Sequence, residues 1–261
     1  MINIEPIGVV HNDFIDPKEI KVGTGQSTIE IFPQYTDALL RINEHSHIWV
    51  LGWFHKAEPG LLRVVPRLNK DLPEYGVFGL RTYSRPNPIG LTVVRLDDVK
   101  DNLLTVNGLD FIDGTPIIDI KPYYEQDIVF SPGTPYIKPK DAAMVEQIMM
   151  KEAIKHHQEE CDQMFLAVKM GVAAERVLGR LTARDLKITV IGSNCLADTI
   201  QGITRARLAN PRRFYFQESD IKSETRWEKD NKTVVIRLKK DAVINDIKDR
   251  SYEEILDIEI Q

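Results

Sequence analysis

A proline-braced loop with two arginines is the first group of residues whose types and spacing suit chemistry. Residues 81–90 read RTYSRPNPIG, so that Pro86 and Pro88 stand on either side of Asn87. The two prolines fix the backbone and remove two N–H donors, which makes the loop rigid where it enters the next element. Arg81 and Arg85 on such a loop suit bidentate recognition of a carboxylate or a phosphate. A structural turn with surface arginines is the alternative.

A histidine and two cysteines in the second half of the chain are the other candidate group. His157, Glu159 and Cys161 lie within one or two turns of a helix. With Cys195 they offer the nitrogen, oxygen and sulfur ligands of a divalent metal such as zinc. Cys195 also stands at a predicted helix N-terminus, where the helix dipole is expected to lower the pKa of its thiol. The alternative is that both cysteines are small, buried apolar residues.

Short strands must position the arginine loop. The first half of the chain alternates apolar and polar residues over short runs that glycine and proline separate. Strands are predicted at residues 2–10, 27–32, 47–54, 76–80, 89–96, 103–109 and 117–120, and a short helix at residues 36–42. Because no long helix intervenes, a small antiparallel β-barrel or a sandwich is expected over residues 1–129.

The composition changes after this region. Three prolines and a glycine in residues 130–140 predict a linker. From Asp141, a natural N-cap, the periodicity becomes helical. Helices are predicted from residue 141, at 163–178 and at 198–208, strands at 186–191, 213–216 and 233–238, and a capping box at Ser251 and Glu254. A C-terminal α+β domain is therefore expected over residues 141–261.

Composition and charge exclude several classes of protein. The net charge of −5 argues against binding nucleic acid by bulk electrostatics, although a local basic patch stays open. Such a patch is predicted at Arg205, Arg207, Arg212 and Arg213. No apolar run approaches the roughly 18 residues that cross a bilayer, and the N-terminus lacks the features of a signal peptide. We therefore expect a soluble cytoplasmic protein with no membrane partner.

Four segments of the first half resemble the TsaA-like family, also called the TrmO family. They are IEPIGVVH at residues 4–11, SHIWVLGWFH at 46–55, RPNPIG at 85–90 and LDFIDGTPIIDIKPY at 109–123. The resemblance implies a small closed β-barrel, a homodimer and a cofactor site near the subunit interface. It also implies methyl transfer from S-adenosylmethionine to N6 of threonylcarbamoyladenosine beside the tRNA anticodon.

The resemblance also implies the cofactor contacts. Arg81 aligns with a family arginine that contacts S-adenosylmethionine, His55 and Lys56 match a histidine–glutamine pair, and Leu91 matches an apolar wall. Residues 113–115 form a turn that can present the Asp113 carboxylate, the bare backbone of Gly114 and the Thr115 hydroxyl to the cofactor. The chain departs from the family at residues 16–19, where only the proline of an expected Pro-Arg-Gln segment is kept.

Three residues are candidates for binding the methyl acceptor, and one for accepting its proton. Arg85, Asn87 and Lys121 are predicted to bind the substrate, and His55 is the candidate base for the proton that an exocyclic amine must lose. A histidine at the end of a strand that has only a structural role is the alternative.

The second half resembles, more faintly, the FmdE family, which takes its name from a component of formylmethanofuran dehydrogenase. Residues 194–201 match a strand-to-helix motif of that family at Cys195, Asp198, Ile200 and Gln201. A histidine- and cysteine-rich motif of the same family falls on residues 156–163, where His157 and Cys161 are kept and Glu159 replaces a histidine. The resemblance implies an altered metal site, and two cysteines are too few for an iron–sulfur cluster.

Three functions follow from these interpretations. The first is an S-adenosylmethionine-dependent methyltransferase that acts on tRNA adenosine. The second keeps the cofactor but transfers the methyl group to a small-molecule or metal-bound acceptor presented by the C-terminal domain. The third is a sensor that binds S-adenosylmethionine without turnover.

Overall fold

The computed structural model describes residues 3–17, 20, 25–58 and 60–261 of the chain. Residue 2 of the first predicted strand therefore lies outside the described residues. So do residues 18 and 19 of the segment 16–19, where the sequence departs from the family pattern. The chain divides into two compact units, Met1–Ile128 and Val129–Gln261.

The first unit is a closed antiparallel β-barrel, as expected. Its six strands are β1 (Gly8–His11), β2 (Gln26–Ile31), β3 (His47–Trp53), β6 (Ile89–Lys100), β7 (Leu103–Asn107) and β8 (Pro116–Pro122), while β4 (Arg63–Val64) and β5 (Tyr75–Gly76) form a separate small ribbon. Around the barrel the strands follow one another in the order β1-β2-β7-β6-β3-β8.

Alternation along the strands builds the interior of the barrel. In β3, Ile48, Val50 and Gly52 point inward and are buried, whereas the residues between them are partly exposed. This is the period of two that a strand requires when one face packs on a core and the other does not. The strands supply fully buried aliphatic side chains such as Ile29 and Leu104 to the core.

Two predicted elements of the first unit differ from the structure, one in type and the other in its bounds. The strand expected at residues 76–80 ends at Gly76, and a 3-10 helix, Val77–Gly79, follows it. The helix expected at residues 36–42 consists of two 3-10 helices, Pro33–Leu39 and Ile42–Glu44. Arg41 stands between these helices with a φ of 66°, and this left-handed conformation interrupts the helical path.

The second unit combines helices with a mixed sheet and is α+β, as expected. The strands are β9 (Lys187–Gly192), β10 (Phe214–Glu218), β11 (Glu224–Lys229), β12 (Lys232–Leu238) and β13 (Leu256–Ile260), and the helices are α1 (Ala142–His157), α2 (Asp162–Leu178), α3 (Asn194–Thr204) and α4 (Tyr252–Ile255). The sheet has the order β10-β9-β11-β12-β13, in which β9 and β10 are parallel and the other neighbours antiparallel.

Local capping explains where these helices begin and end. The Asp141 carboxylate accepts a hydrogen bond from the backbone N–H of Ala143, 3.0 Å away, and so caps α1. Ser193 caps α3 in the same manner, so that α3 begins at Asn194, four residues before the predicted start at 198. Gly179 ends α2 with a φ of 68°. Ser251 and Glu254 form the predicted capping box of α4.

Within the second unit, the segment before α1 is held against α2 by side-chain hydrogen bonds. Tyr136 donates to the buried carboxylate of Glu175, and Lys138 pairs with the same group at 3.0 Å. Burial, followed by the hydrogen bond to Glu175, raises the pKa of the Tyr136 hydroxyl above its ordinary range. These contacts fix a proline-rich stretch that forms no helix or strand of its own.

Across the described ranges, every helix is too short or too polar to serve as a membrane span.

Candidate functional site

Strand pairing brings most of the predicted cofactor residues to one end of the barrel. Strand β3 ends at Trp53 where its antiparallel partner β6 begins at Ile89. Strand β8 begins at Pro116 beside the end of β1. The turn after β3, the arginine loop before β6 and the acidic turn before β8 therefore share this end of the barrel.

The acidic turn is shaped by its backbone. Gly114 has a φ of +70°, which favours glycine, and its N–H donates to the carbonyl of Val10 at 2.9 Å. The Asp113 carboxylate is about half exposed and accepts from the backbone N–H of Asn12 at 3.1 Å. Thr115 is fully buried, and its hydroxyl donates to the carbonyl of Ile112 at 2.7 Å. Asp113 and Gly114 thus face solvent while Thr115 holds the turn; a contact of Thr115 with the cofactor stays a prediction.

A phenylalanine locks this turn to the barrel. Phe111 is 1% exposed, and its ring meets that of Phe54 edge to face at 5.4 Å between centroids. Gly52 and Gly90 are register partners on β3 and β6. A Cβ atom at Gly52 or Gly90 would lie 2.6 Å from the Phe111 ring, so the ring fits only because both positions lack side chains. Gly90, the glycine of the RPNPIG motif, therefore makes room for the Phe111 ring.

His55 and Lys56 form the turn that follows β3. The Lys56 ammonium donates to the carbonyl of Ile15 at 2.9 Å. His55 is exposed, and partial burial, then the charge of Lys56, lowers the pKa of its imidazole, while the Asp113 carboxylate acts in the opposite direction. His55 is therefore uncharged at neutral pH and can accept a proton.

The arginine loop is anchored at its proline end. The backbone N–H of Phe54 donates to the carbonyl of Pro88 at 2.8 Å, and Arg85 donates to the carbonyl of Val77 at 3.4 Å. The side chain of Asn87 is exposed. Arg81 is exposed as well, and no hydrogen-bond or ion-pair partner of its guanidinium is found among the residues that the structure describes. Of the two arginines, Arg81 has more of its donors available to a ligand.

Leu91 and Lys121 occupy different parts of the barrel wall. Leu91 is 47% exposed on the outer face of β6, opposite Leu51 of β3, close to the end that carries the arginine loop. Lys121 lies opposite Trp49, about 13 Å along β8 from Ile117, and pairs with Asp119 at 2.6 Å. Lys121 is thus separated from the other predicted residues, and its role in substrate binding stays a prediction.

Two polar residues that support the site are not evident from the sequence. The Asn12 amide donates to the carbonyl of Phe111 at 2.9 Å and to the Ser27 hydroxyl at 3.1 Å, so it joins the acidic turn to β2. The Thr92 hydroxyl of β6 donates to the Asp110 carboxylate and joins the same turn to β6. In the sequence Asn12 indicates only a turn, because Phe111 is 99 residues away along the chain.

The second unit brings His157, Cys161 and Cys195 together, while metal binding by these residues stays a prediction. The three side chains each offer a ligand atom, and these atoms lie within 4.8 Å of one another. The Cys161 sulfur is 3.4 Å from Nε2 of His157, and Nδ1 of His157 is 2.7 Å from the Asp198 carboxylate. The residues come from the end of α1, the N-cap of α2 and the first turn of α3.

The pKa of the Cys195 thiol is raised, whereas the sequence predicted that it would be lowered. Burial raises the pKa of its thiol, and the adjacent Cys161, Glu159 and Asp198 act in the same direction. Desolvation and, after it, the ionisable neighbours set the direction of the pKa shift at this position.

The predicted basic patch of the second unit is largely engaged in structural contacts. Arg213 is 5% exposed and donates to backbone carbonyls, including that of Ala183 at 2.9 Å. Arg205 pairs with Glu152 at 2.8 Å, and Arg212 lies over the ring of Tyr215. The patch prediction is therefore wrong for Arg213, whose guanidinium is buried against backbone carbonyls, and it stays a prediction for Arg205, Arg207 and Arg212.

Comparison with known proteins bears mainly on the barrel unit. A family model of the tRNA-methyltransferase O N-terminal domain matches residues 11–127. A probable S-adenosyl-L-methionine-binding protein of Methanothermobacter thermautotrophicus is 46% identical over 128 residues, which are 48% of this chain and 91% of that protein. A probable S-adenosyl-L-methionine-binding protein of Archaeoglobus fulgidus is 32% identical over 221 residues, 80% of this chain and 60% of that protein. A mouse tRNA (adenine(37)-N6)-methyltransferase is 43% identical over 98 residues, 36% of this chain and 22% of that protein.

The closed barrel and the matched domain place the chain among methyltransferases that are built on a small β-barrel. The chain belongs to the TrmO family. The fainter resemblance of residues 141–261 to the FmdE family stays a prediction.

Proposed function

We propose that this protein uses S-adenosylmethionine to methylate N6 of threonylcarbamoyladenosine beside the anticodon of tRNA. One observation carries the proposal: the arginine loop and an exposed acidic turn lie at the same end of a barrel of the tRNA-methyltransferase O type. The relatives named for S-adenosylmethionine binding and for tRNA adenine methylation support the two halves of the proposal.

The donor set at the barrel end fits the cofactor. S-adenosylmethionine supplies an electrophilic methyl group on a sulfonium, flanked by an amino acid and an adenosine. The exposed guanidinium of Arg81 suits the carboxylate of the amino-acid portion. The Asp113 carboxylate and the exposed backbone of Gly114 suit its amine or the ribose hydroxyls. Leu91 offers an apolar wall, and His55 and Lys56 border the same end.

The chain's part in the reaction is positioning and removal of a proton. Methyl transfer to nitrogen is an in-line displacement, in which alignment of the acceptor supplies much of the rate. Arg85 and Asn87 lie on the rigid loop next to Arg81 and are proposed to hold the acceptor, with Lys121 farther along the wall. The N6 nitrogen loses its proton once the new bond forms, and the uncharged imidazole of His55 is the proposed acceptor of that proton.

A homodimer is proposed from the outer face of the barrel. Trp49, Leu51 and Trp53 of β3 are only partly buried, and Leu91 lies beside them on β6. Exposed apolar side chains that adjoin one another on a sheet face suit contact with a second copy of the chain. The cofactor residues lie beside this face, which agrees with a cofactor site near a subunit interface.

A transfer assay tests the proposal. The full chain is incubated with S-adenosylmethionine labelled in its methyl group and with bulk tRNA from cells that contain threonylcarbamoyladenosine. The expected result is label in the RNA, recovered after digestion as N6-methylated threonylcarbamoyladenosine. tRNA from cells that lack this modification is the matched control, and it should stay unlabelled.

Other outcomes of the assay favour the other two functions. Label that appears only in a small molecule from a cell extract would contradict a tRNA acceptor and support a small-molecule acceptor. Tight cofactor binding with no labelled product from tRNA or extract would contradict an enzyme and support a sensor.

The pH dependence tests the role of His55. A base must be unprotonated to act, and the pKa of His55 lies below its ordinary value of about 6.5. Activity is therefore expected to be level at neutral pH and to fall as the pH drops through this lowered pKa. His55→Gln should lose about 100-fold or more of kcat, with the acid limb of the profile removed.

His45→Gln is the control for this series, since His45 stands before β3 at the opposite end of the barrel. Its profile should match that of the parent protein. A His55→Gln variant that keeps both the rate and the acid limb would remove His55 from proton transfer and leave it a structural residue.

A further inference from the structure

The cluster of His157, Cys161 and Cys195 has no part in the proposed methyl transfer and indicates a second functional site, in the second unit. All three residues belong to the second unit, and they converge from three separate helix ends. Two sulfur donors and one imidazole nitrogen within 4.8 Å of one another form a ligand set of the soft kind that zinc prefers.

The imidazole is held in the orientation that a metal ligand requires. Nδ1 of His157 meets the Asp198 carboxylate at 2.7 Å, which leaves Nε2 directed at the Cys161 sulfur, 3.4 Å away. The side chain of His157 is only 9% exposed, so its ring has little freedom to turn. A carboxylate on the distal nitrogen is the usual outer partner of a metal-bound histidine.

A second histidine braces the same carboxylate. Nε2 of His156 lies 3.3 Å from the other oxygen of Asp198. The ring of His156 packs on Gly202 of α3, where a Cβ atom would come within 2.5 Å of it. The bare backbone of Gly202 thus admits the ring that steadies Asp198.

The number of donors predicts an open position. Among the described residues, no fourth histidine, cysteine or carboxylate joins these three within the same limit. Both cysteines are partly exposed, so solvent reaches the cluster. A tetrahedral ion held by three protein ligands keeps its fourth position for water or for an added ligand.

We propose that the second unit binds one zinc-class divalent ion through His157, Cys161 and Cys195, with an open fourth position that accepts a thiol or imidazole ligand. Asp198 is the positioning residue that orients His157. This inference goes beyond the proposed methyl transfer, which uses only residues of the barrel.

Cobalt titration of the full chain tests the site. The reduced protein is stripped with a chelator, the chelator is removed, and Co²⁺ is added. One cobalt per chain is expected, with a thiolate-to-cobalt charge-transfer band and the intense visible bands of a tetrahedral ion, and Zn²⁺ should abolish both. Cys161→Ser and Cys195→Ser should each weaken binding by more than about 100-fold, and Asp198→Asn by about 10- to 100-fold.

Glu160→Gln is the matched control, because Glu160 is adjacent in sequence to Cys161 but pairs with Lys248. This variant should bind cobalt like the parent protein. A small thiol such as cysteamine should shift the visible bands of the cobalt complex of the parent protein, and this shift would support the open fourth position. Bands that are unchanged by both cysteamine and imidazole would overturn the open position.

Two results would overturn the metal site itself. One is the absence of a charge-transfer band in the reduced parent protein at millimolar cobalt. Rapid alkylation of Cys161 in the same protein would then indicate a reactive thiol activated by His157 in place of a metal ligand. The other is an unchanged band in the Cys161→Ser or Cys195→Ser variant. Circular dichroism of each variant separates loss of a ligand from loss of the fold, and Asp198→Asn keeps all three ligands for comparison.

Discussion

Replacing Phe111 with alanine is expected to destabilise the barrel unit by about 3–5 kcal/mol, the range for truncation of a fully buried aromatic side chain. The ring fills the space above Gly52 and Gly90 and meets Phe54 edge to face. Neither glycine has a side chain that can move into the cavity, so the lost contacts are not replaced. Urea unfolding, followed by the fluorescence of the barrel tryptophans Trp49 and Trp53 in a chain in which Trp227 is changed to phenylalanine, measures the effect.

The same substitution also affects the candidate site, because Phe111 stands two residues before Asp113. Loss of the ring should loosen the acidic turn and weaken cofactor binding in the fraction that stays folded. Phe78→Ala is the matched control, since Phe78 is 81% exposed in the 3-10 helix after β5. Its free energy of unfolding should stay within about 0.5 kcal/mol of the parent value. Equal unfolding midpoints for the two variants would contradict the packing argument.

The strands that were predicted contain runs of apolar residues, whereas charged residues interrupt the missed strands β11 and β13. Strand β3 could be predicted because a short run of large apolar and aromatic residues indicates a central, partly buried strand. Strand β11, Glu224–Lys229, was missed because four of its six residues are charged. Thr225 and Trp227 are fully buried in the core, whereas Glu224, Arg226 and Glu228 lie on the other face of the strand. Strand β13 was missed although apolar and acidic residues alternate in it, because the capping box at Ser251 and Glu254 indicated only a short helix in this region; four of the five residues of β13 are exposed.

The residue types of the candidate site could be predicted from the sequence, but the packing contacts and neighbouring groups that position these residues could not. Arginine, aspartate and cysteine suggest chemistry wherever they occur, so Arg81, Asp113 and Cys161 could be chosen from the sequence. The fit of Phe111 against the glycine pair depends on strand register, which brings Gly52 opposite Gly90. The shift at Cys195 depends on neighbours that only the fold brings together. Effects that arise from distant partners therefore escaped prediction, even where the residue itself was recognised.

Replacing Arg81 with alanine is expected to weaken binding of S-adenosylmethionine by about 1.5–3 kcal/mol, the range for a hydrogen bond to a charged group. This loss corresponds to roughly 10- to 150-fold in Kd. The effect should be large because the guanidinium is exposed and, within the described part of the chain, unpaired, so its donors are free for a ligand. Isothermal titration calorimetry with the full chain measures the change.

Two further variants separate geometry from charge. Arg81→Lys keeps the positive charge but loses the planar fork, so it should bind with an affinity between those of the parent and the alanine variant if the contact is bidentate. Arg41→Ala removes an arginine that pairs with Glu44 before β3, at the opposite end of the barrel, and should bind normally. Equal losses at Arg41 and Arg81 would indicate that general charge attracts the ligand. An unchanged affinity of Arg81→Ala would remove this residue from the site and leave the Asp113 turn as the remaining anchor.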